Sequence, residues 1–419
     1  MAVNITKQPP KNIVIIGGSY GGVSTAYYLL KHVIPQVPAE DGYQIILVSS
    51  SSQVMCRPAC PRALISDDMF PQEKLFVDIT TAIKQYDKDK FRFICGTATA
   101  LDHRSRTVSV TTTRDSGIET LEFYSLIIAT GASTPSPLLG LNRDSDSLRQ
   151  SWHEFREALP KARSIVVAGG GPAGVETAGE LGEYLNGRAG LFRTKLDKPT
   201  VAVTLVTAGT KILPALRPAI AKQAEDYLAQ IGVTIVKNTR VESVTPSGAG
   251  VDDLAANATI NLADGQKLEA DLYIPATGTR PNTDFIDNSL LASDGRVETN
   301  PSTLRVDKAG PRIYAIGDAS SYARPAVHNI LSAIPVLCAN IKRDLLLASG
   351  QTAAAAKGDR VFEEDTRETQ MVPIGKSKGV GAAMGYRLPS FLVWLIKGRD
   401  YWLWTTGKLW NGDQWAKES

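Results

Sequence analysis

Two stretches decide the fold: NIVIIGGSYGGVSTAYYLL, residues 12–30, and SIVVAGGGPAGVETAGELG, residues 164–182. Each opens on a β-branched apolar run, breaks at glycines and continues as a helix-forming segment. That order is the strand–turn–helix opening of a dinucleotide-binding βαβ unit. The runs are apolar throughout instead of alternating, which predicts parallel strands buried on both faces. One glycine fingerprint alone is a weak signal; two in one chain, each closed by A-T-G at a matching distance, form a strong one.

The likeness between the halves continues downstream. QIILVSS (44–50), the alternating FRFICGTATALD (91–102) and RTVSVTTT (106–113), and LIIATGASTP (126–135) follow the first stretch. VAVTLVTAG (201–209), VTIVKNTRVESV (233–244), ATINLADGQKLEADL (258–272) and YIPATGTRPNT (273–283) follow the second. A late strand, RIYAIGDAS (312–320), ends in Gly317–Asp318. Two dinucleotide units with such a strand form the pattern of flavoproteins that hold FAD in a first, interrupted domain and NADH or NADPH in an inserted second one. The expected fold is α/β: two Rossmann-like, glutathione-reductase-like domains with a small C-terminal α+β region. The expected divisions are 1–148 and 284–352 for FAD, 149–283 for NAD(P), and 353–419 for an aromatic-rich tail.

Residue roles follow from the fingerprint. Its first glycine makes the tight turn, the second lets the backbone approach a pyrophosphate, and the third lets helix pack on strand. These are Gly169, Gly171 and Gly174 in the second copy and Gly17, Ser19 and Gly22 in the first, where Gly18, Tyr20 and Gly21 complete the loop. Thr130 and Gly131 close the first copy, and Gly278 the second. The acidic residue that usually grips the adenosine ribose is missing from both: Ser49 and Thr207 stand in its place. NADH and NADPH are therefore not separated, and Lys211 is either a 2′-phosphate ligand or a solvated loop lysine. Asp318 is expected to contact FAD, with a plain N-cap as the alternative. Glu176 either complements a helix dipole or faces the nicotinamide.

Bulk composition bounds the function. At 419 residues two or three domains are expected, and 43% apolar with 21% charged residues is ordinary for a globular chain. A net charge of +3, from 46 basic and 43 acidic residues, gives no reason to expect a nucleic-acid partner. No apolar run suffices to span a bilayer. MAVNITKQPPKN at the N-terminus lacks a signal-peptide core, and four cysteines suit a reducing compartment, so a cytoplasmic location is expected, with peripheral membrane contact as an addition.

At this point the chain resembles the apoptosis-inducing-factor-like flavoproteins, in the branch that includes ferroptosis suppressor protein and its fungal relatives. The resemblance rests on GGSYGG (17–22), CPR (60–62), ATG (129–131), GGGPAGVE (169–176), ATGTRPN (276–282), AIGDAS (315–320) and the tail MVPIGKSKGVG (371–381) followed by LPSFLVWLIKGRDYW. It implies that Arg62 contacts FAD, that the backbone near Ala98 touches the adenine, and that Asp318 binds the flavin polyol. It also implies oxidation of NAD(P)H with transfer through flavin to quinones. Hydride transfer of this kind needs no side-chain nucleophile, since the cofactor carries the hard step.

Cys56 and Cys60 raise the question of a redox pair. Their spacing is C-x3-C, and Pro58 between them disfavours a regular helix. They read as structural or pocket-lining residues, with Arg57 and Arg62 the better functional candidates near a phosphate or flavin edge. His328 is a candidate proton donor to a reduced quinone, against the alternative of an ordinary helix-start histidine. Five of the six tryptophans fall between 394 and 415, among basic residues. They suit either packing on the flavin domain or a membrane surface. Three functions fit the sequence: an FAD-dependent NAD(P)H oxidoreductase with a quinone-like hydrophobic acceptor, a flavoenzyme of specialised metabolism with a dedicated hydrophobic intermediate, and a redox-responsive effector that oxidises NADH slowly.

Overall fold

The structure, a computed structural model, describes residues 9–38, 42–190 and 192–419. Most of the N-terminal stretch weighed above as a signal peptide lies outside the described residues. The first apolar run forms the strand Lys11–Ile16, an interior strand of a seven-stranded sheet. It pairs in parallel with Tyr43–Ser49 on one side and Ser125–Ile128 on the other. Ile313–Ala315, the late strand, adds in parallel outside Ser125–Ile128. Phe91–Asp102 pairs in parallel with Tyr43–Ser49, then turns into an antiparallel meander with Thr107–Thr112 and Ile118–Glu122. Ile13, Val14 and Ile15 are fully buried, as a strand covered on both faces requires.

The second copy builds a four-stranded parallel sheet in the order Val233–Val236, Ala202–Val206, Ser164–Ala168, Leu272–Pro275. A three-stranded antiparallel sheet, Val241–Thr245, Ala258–Leu262 and Lys267–Ala270, is its counterpart of the meander. Ala132–Ser133 and Arg280–Pro281, which follow the two A-T-G turns, pair antiparallel and tie the halves together.

The tail forms its own antiparallel sheet, Gln370–Ile374, Lys378–Ala383 and Tyr386–Arg387, followed by short helical segments. Its last turns pack on the first fingerprint helix, Tyr20–Tyr28. Trp410 and Trp415 are buried there, Tyr27 Oη donates to the Trp410 carbonyl at 2.9 Å, and the Tyr20 and Trp410 rings lie 4.8 Å apart. Phe391, Trp394, Leu395 and Trp404 instead remain exposed. Among the described residues no helix is long and apolar enough to cross a membrane.

Candidate active site

The carboxyl ends of both parallel sheets open on one cavity of about 1080 Å³. Carboxyl strand ends at a change of strand order are where open α/β sheets bind ligands. Ser19, Tyr20 and Gly21 line it from the first fingerprint, and Gly169, Gly171 and Glu176 from the second. Gly131 and Gly278 line it from the A-T-G turns, and Gly317 and Asp318 from the late strand.

Two helices begin at the wall, Tyr20–Tyr28 and Pro172–Asn186. Their N-caps, Ser19 and Gly171, make no side-chain capping bond, so their first-turn amides are left for another acceptor. Two uncapped helix starts on one cavity fit the pyrophosphates of two dinucleotides. The third glycines are held by contact. A Cβ on Gly22 would stand 1.7 Å from the Gly17 carbonyl oxygen, and one on Gly174 would stand 1.9 Å from that of Gly169.

Ser49 and Thr207 occupy matching places. Each hydroxyl lies under the middle of its glycine loop, 2.5 Å and 2.3 Å from a Cβ built on Gly18 and Gly170 respectively. Only Thr207 of the two lines the cavity. Thr130 sits behind the wall, where its hydroxyl donates to the Asn282 carbonyl at 2.7 Å.

Three further expected residues, His328, Ala98 and Arg62, do not line the cavity. His328 is exposed and does not line the cavity, whereas Val327 and Ile330 of the same helix do. One residue along a helix turns the side chain by about 100°, which carries His328 off the lining face. Ala98 is in the meander strand Phe91–Asp102, against the core under Leu101 and Val110, also away from the cavity. Arg62 is buried at 6% exposure, and its guanidinium is fully engaged within the protein. Its Nε and Nη2 donate to Glu180 at 2.9 and 2.8 Å, and its Nη1 donates to the Gly398 carbonyl at 2.8 Å. Tyr401 Oη donates to the same Glu180 at 2.9 Å, and its ring lies 4.8 Å from the guanidinium. Arg57, by contrast, lines the cavity, 3.6 Å from Asp318.

At the seam between the copies, Lys397 of the tail donates to Glu176 at 2.5 Å and to the Met371 carbonyl at 3.0 Å. Both side chains are buried yet belong to the cavity lining. Burial pushes the Glu176 carboxyl up to about 7, against the opposing pull of the Lys397 ammonium. Sequence reasoning missed Lys397 because its partner lies 221 positions away. In the sequence Lys397 is one of the tail cations that alternate with the tryptophans.

A family profile described as pyridine nucleotide-disulphide oxidoreductase matches residues 11–335. The chain belongs to that family. Within the pyridine nucleotide-disulphide oxidoreductase family it is an oxidoreductase that uses FAD and NADH or NADPH, and the paired cradles fit those cofactors. It is similar to "Oxidoreductase phnG" of Penicillium herquei, at 63% identity over 99% of both chains. It is also similar to "Ferroptosis suppressor protein 1" of Homo sapiens, at 24% identity over 95% of both chains. In fold it is similar to NDH2 from Plasmodium falciparum, with a TM-score of 0.64 at 14% identity over 98% of this chain and 99% of that one.

The disulphide in the family's description has no counterpart at Cys56 and Cys60. Both are free and fully buried. The Cys56 thiol bonds to the Tyr401 carbonyl at 3.3 Å, and the Cys60 thiol faces the Met55 sulfur. Burial pushes them up to about 11 and about 12, away from the thiolate that redox exchange needs.

Proposed function

We propose that the protein oxidises NADH or NADPH and passes the electron pair through FAD to a quinone-like hydrophobic acceptor. The observation that carries this reading is the meeting of two nucleotide cradles on one cavity, with the Lys397–Glu176 pair at their seam. FAD, when bound, supplies the two-electron chemistry. The protein binds, orients and handles protons. The uncapped helix starts at Ser19 and Gly171 would hold the pyrophosphates, and Asp318 with Arg57 would hold the polyol and phosphate region of FAD. Glu176, with a carboxyl near neutrality, stores a proton at its carboxylate oxygen for the acceptor, and Lys397 fixes its orientation. Pro58, Pro61, Leu139, Val327 and Ile330 give that cavity an apolar wall suited to such an acceptor.

A dedicated hydrophobic intermediate is the second reading. It draws on the identity of 63% to a fungal oxidoreductase against 24% to ferroptosis suppressor protein 1. One experiment separates the readings. Purified yellow protein is bleached anaerobically with NADH or NADPH, then offered a simple benzoquinone. Recovery of the flavin absorbance supports the quinone reading. Rapid bleaching without recovery sends the acceptor to the dedicated class, and sluggish bleaching favours the redox-responsive effector.

The exposed Phe391, Trp394, Leu395 and Trp404, flanked by exposed Lys376, Arg399 and Lys408, also support peripheral contact with a membrane surface. Sedimentation with vesicles of phosphatidylserine and phosphatidylcholine should carry the protein down, and Trp404→Ser should weaken it. Equal recovery in the supernatant with and without vesicles would reject the contact.

A further inference from the structure

We propose that Thr239 and Arg240 form a recognition site for the 2′-phosphate of NADPH, an inference that rests on the oxidoreductase reading for its purpose but not for its test. Strand Val233–Val236 runs parallel beside Ala202–Val206, so the residues after both strands meet at the same carboxyl edge. The backbone makes the placement firm. Thr239 N–H donates to the Thr207 carbonyl at 3.3 Å, and Asn238 N–H donates to that of Gly209 at 3.1 Å. Thr207 stands where a dinucleotide fold ordinarily puts the carboxylate that binds the ribose hydroxyls. Thr239 and Arg240 are therefore held beside the adenosine ribose position, and both line the cavity.

Three further observations give this corner its preference. First, it holds no free carboxylate. Among the described lining residues the carboxylates are Glu176 and Asp318, and each already faces a cation, Lys397 and Arg57. A second negative charge on the ribose would meet no repulsion there. Second, the Arg240 guanidinium is exposed and pairs with no acceptor among the described residues. Third, the Thr239 hydroxyl is buried at 4% exposure and has no hydrogen-bond partner among the described residues. A buried hydroxyl is rarely left in that state, so a ligand oxygen is its natural partner. A guanidinium next to a spare hydroxyl donor matches the geometry of a phosphomonoester.

Lys211, for which the sequence left a 2′-phosphate ligand and a loop lysine both open, is engaged within its own loop. Its ammonium is spent on the carbonyls of Leu213, Pro214 and Leu216, where it staples its own loop.

The test is titration calorimetry of the purified flavin-loaded protein with 2′,5′-ADP and with 5′-AMP, which differ only in the 2′-phosphate. Wild-type protein should bind 2′,5′-ADP at least about tenfold more tightly, the usual weight of a charge-assisted hydrogen bond. Arg240→Gln should remove the difference and leave 5′-AMP binding unchanged. Thr239→Val should reduce it by a smaller factor in the same direction. Equal affinity of wild-type protein for the two nucleotides overturns the proposal. So does an Arg240→Gln variant that weakens both alike, since the arginine would then contact the shared part of the ligand. If 2′,5′-ADP binds through Arg240 while the bleached flavin passes nothing to a benzoquinone, the recognition site stands and the quinone reading falls.

Discussion

Glu176 shows how far one residue's chemistry depends on its surroundings. In the sequence it is the last letter of GGGPAGVE, equally an aid to a helix dipole or a partner for nicotinamide. The fold buries it and gives it a lysine from the tail. Burial raises the carboxyl to about 7, so it is protonated below neutrality and loses the proton as pH rises through that value. If the proton goes to the acceptor, turnover at saturating NADPH falls as pH rises past about 7. Glu176→Gln, which cannot donate a carboxyl proton, should flatten that limb and slow acceptor reduction by roughly 10²-fold, the low end for a general acid. Stopped-flow reoxidation of reduced flavin between pH 5 and 9 measures both. A limb that survives in the variant removes Glu176 from the proton path. Arg62 carries the opposite lesson. The resemblance points it at FAD, whereas a carboxylate and three tail carbonyls consume its donors.

At the scale of elements, the two strand–turn–helix units are similar in construction, and the proposed reading gives them separate duties. In each, the helix packs so closely on its turn that the third glycine has no room for a methyl group. Alanine there must push the helix off the strand, and the helix start moves with it. Gly22→Ala should therefore cost the protein its bound flavin, read as loss of visible absorbance in the purified material. Gly174→Ala should keep the yellow colour and lose rapid bleaching by NADH or NADPH. A Gly174→Ala protein purified without flavin would show that the duties are not divided this way. Both glycines were legible in the sequence because the demand for them is local, set within six residues of chain. The place of Ala98 is not legible in the same way, because its strand bends from a parallel pairing into the meander part-way along.

At the scale of the whole molecule, three segments distant in sequence meet around one buried ion pair. Arg62 comes from the first unit, Glu180 from the helix of the second, and Tyr401 with the Gly398 carbonyl from the tail. This strut holds the tail next to the residue that reaches Glu176. Removing one partner leaves a charge buried without its mate, a loss of about 3–5 kcal/mol. Arg62→Met should thus lower thermal stability sharply, and the double variant Arg62→Met/Glu180→Leu should recover part of it. A double variant no more stable than the worse single variant would argue against direct coupling. The tail divides in the same spirit: Trp410 and Trp415 close the core over the first helix, while Trp394 and Trp404 face outward.

The sequence by itself determined the doubled architecture, the glycine cradles, the late Gly317–Asp318 turn and the absence of acid after the second strand of each unit. All of these are set by short-range sterics and by the periodicity of apolar residues, which are visible in consecutive letters. Only the tertiary structure decided that Lys397 meets Glu176, that Arg62 turns inward while Arg57 lines the cavity, that His328 is not among its lining residues, and that Arg240, not Lys211, keeps a cation there unpaired among the described residues. Each of those outcomes depends on which distant groups compete for the same donor, and that competition exists only once the chain has closed on itself.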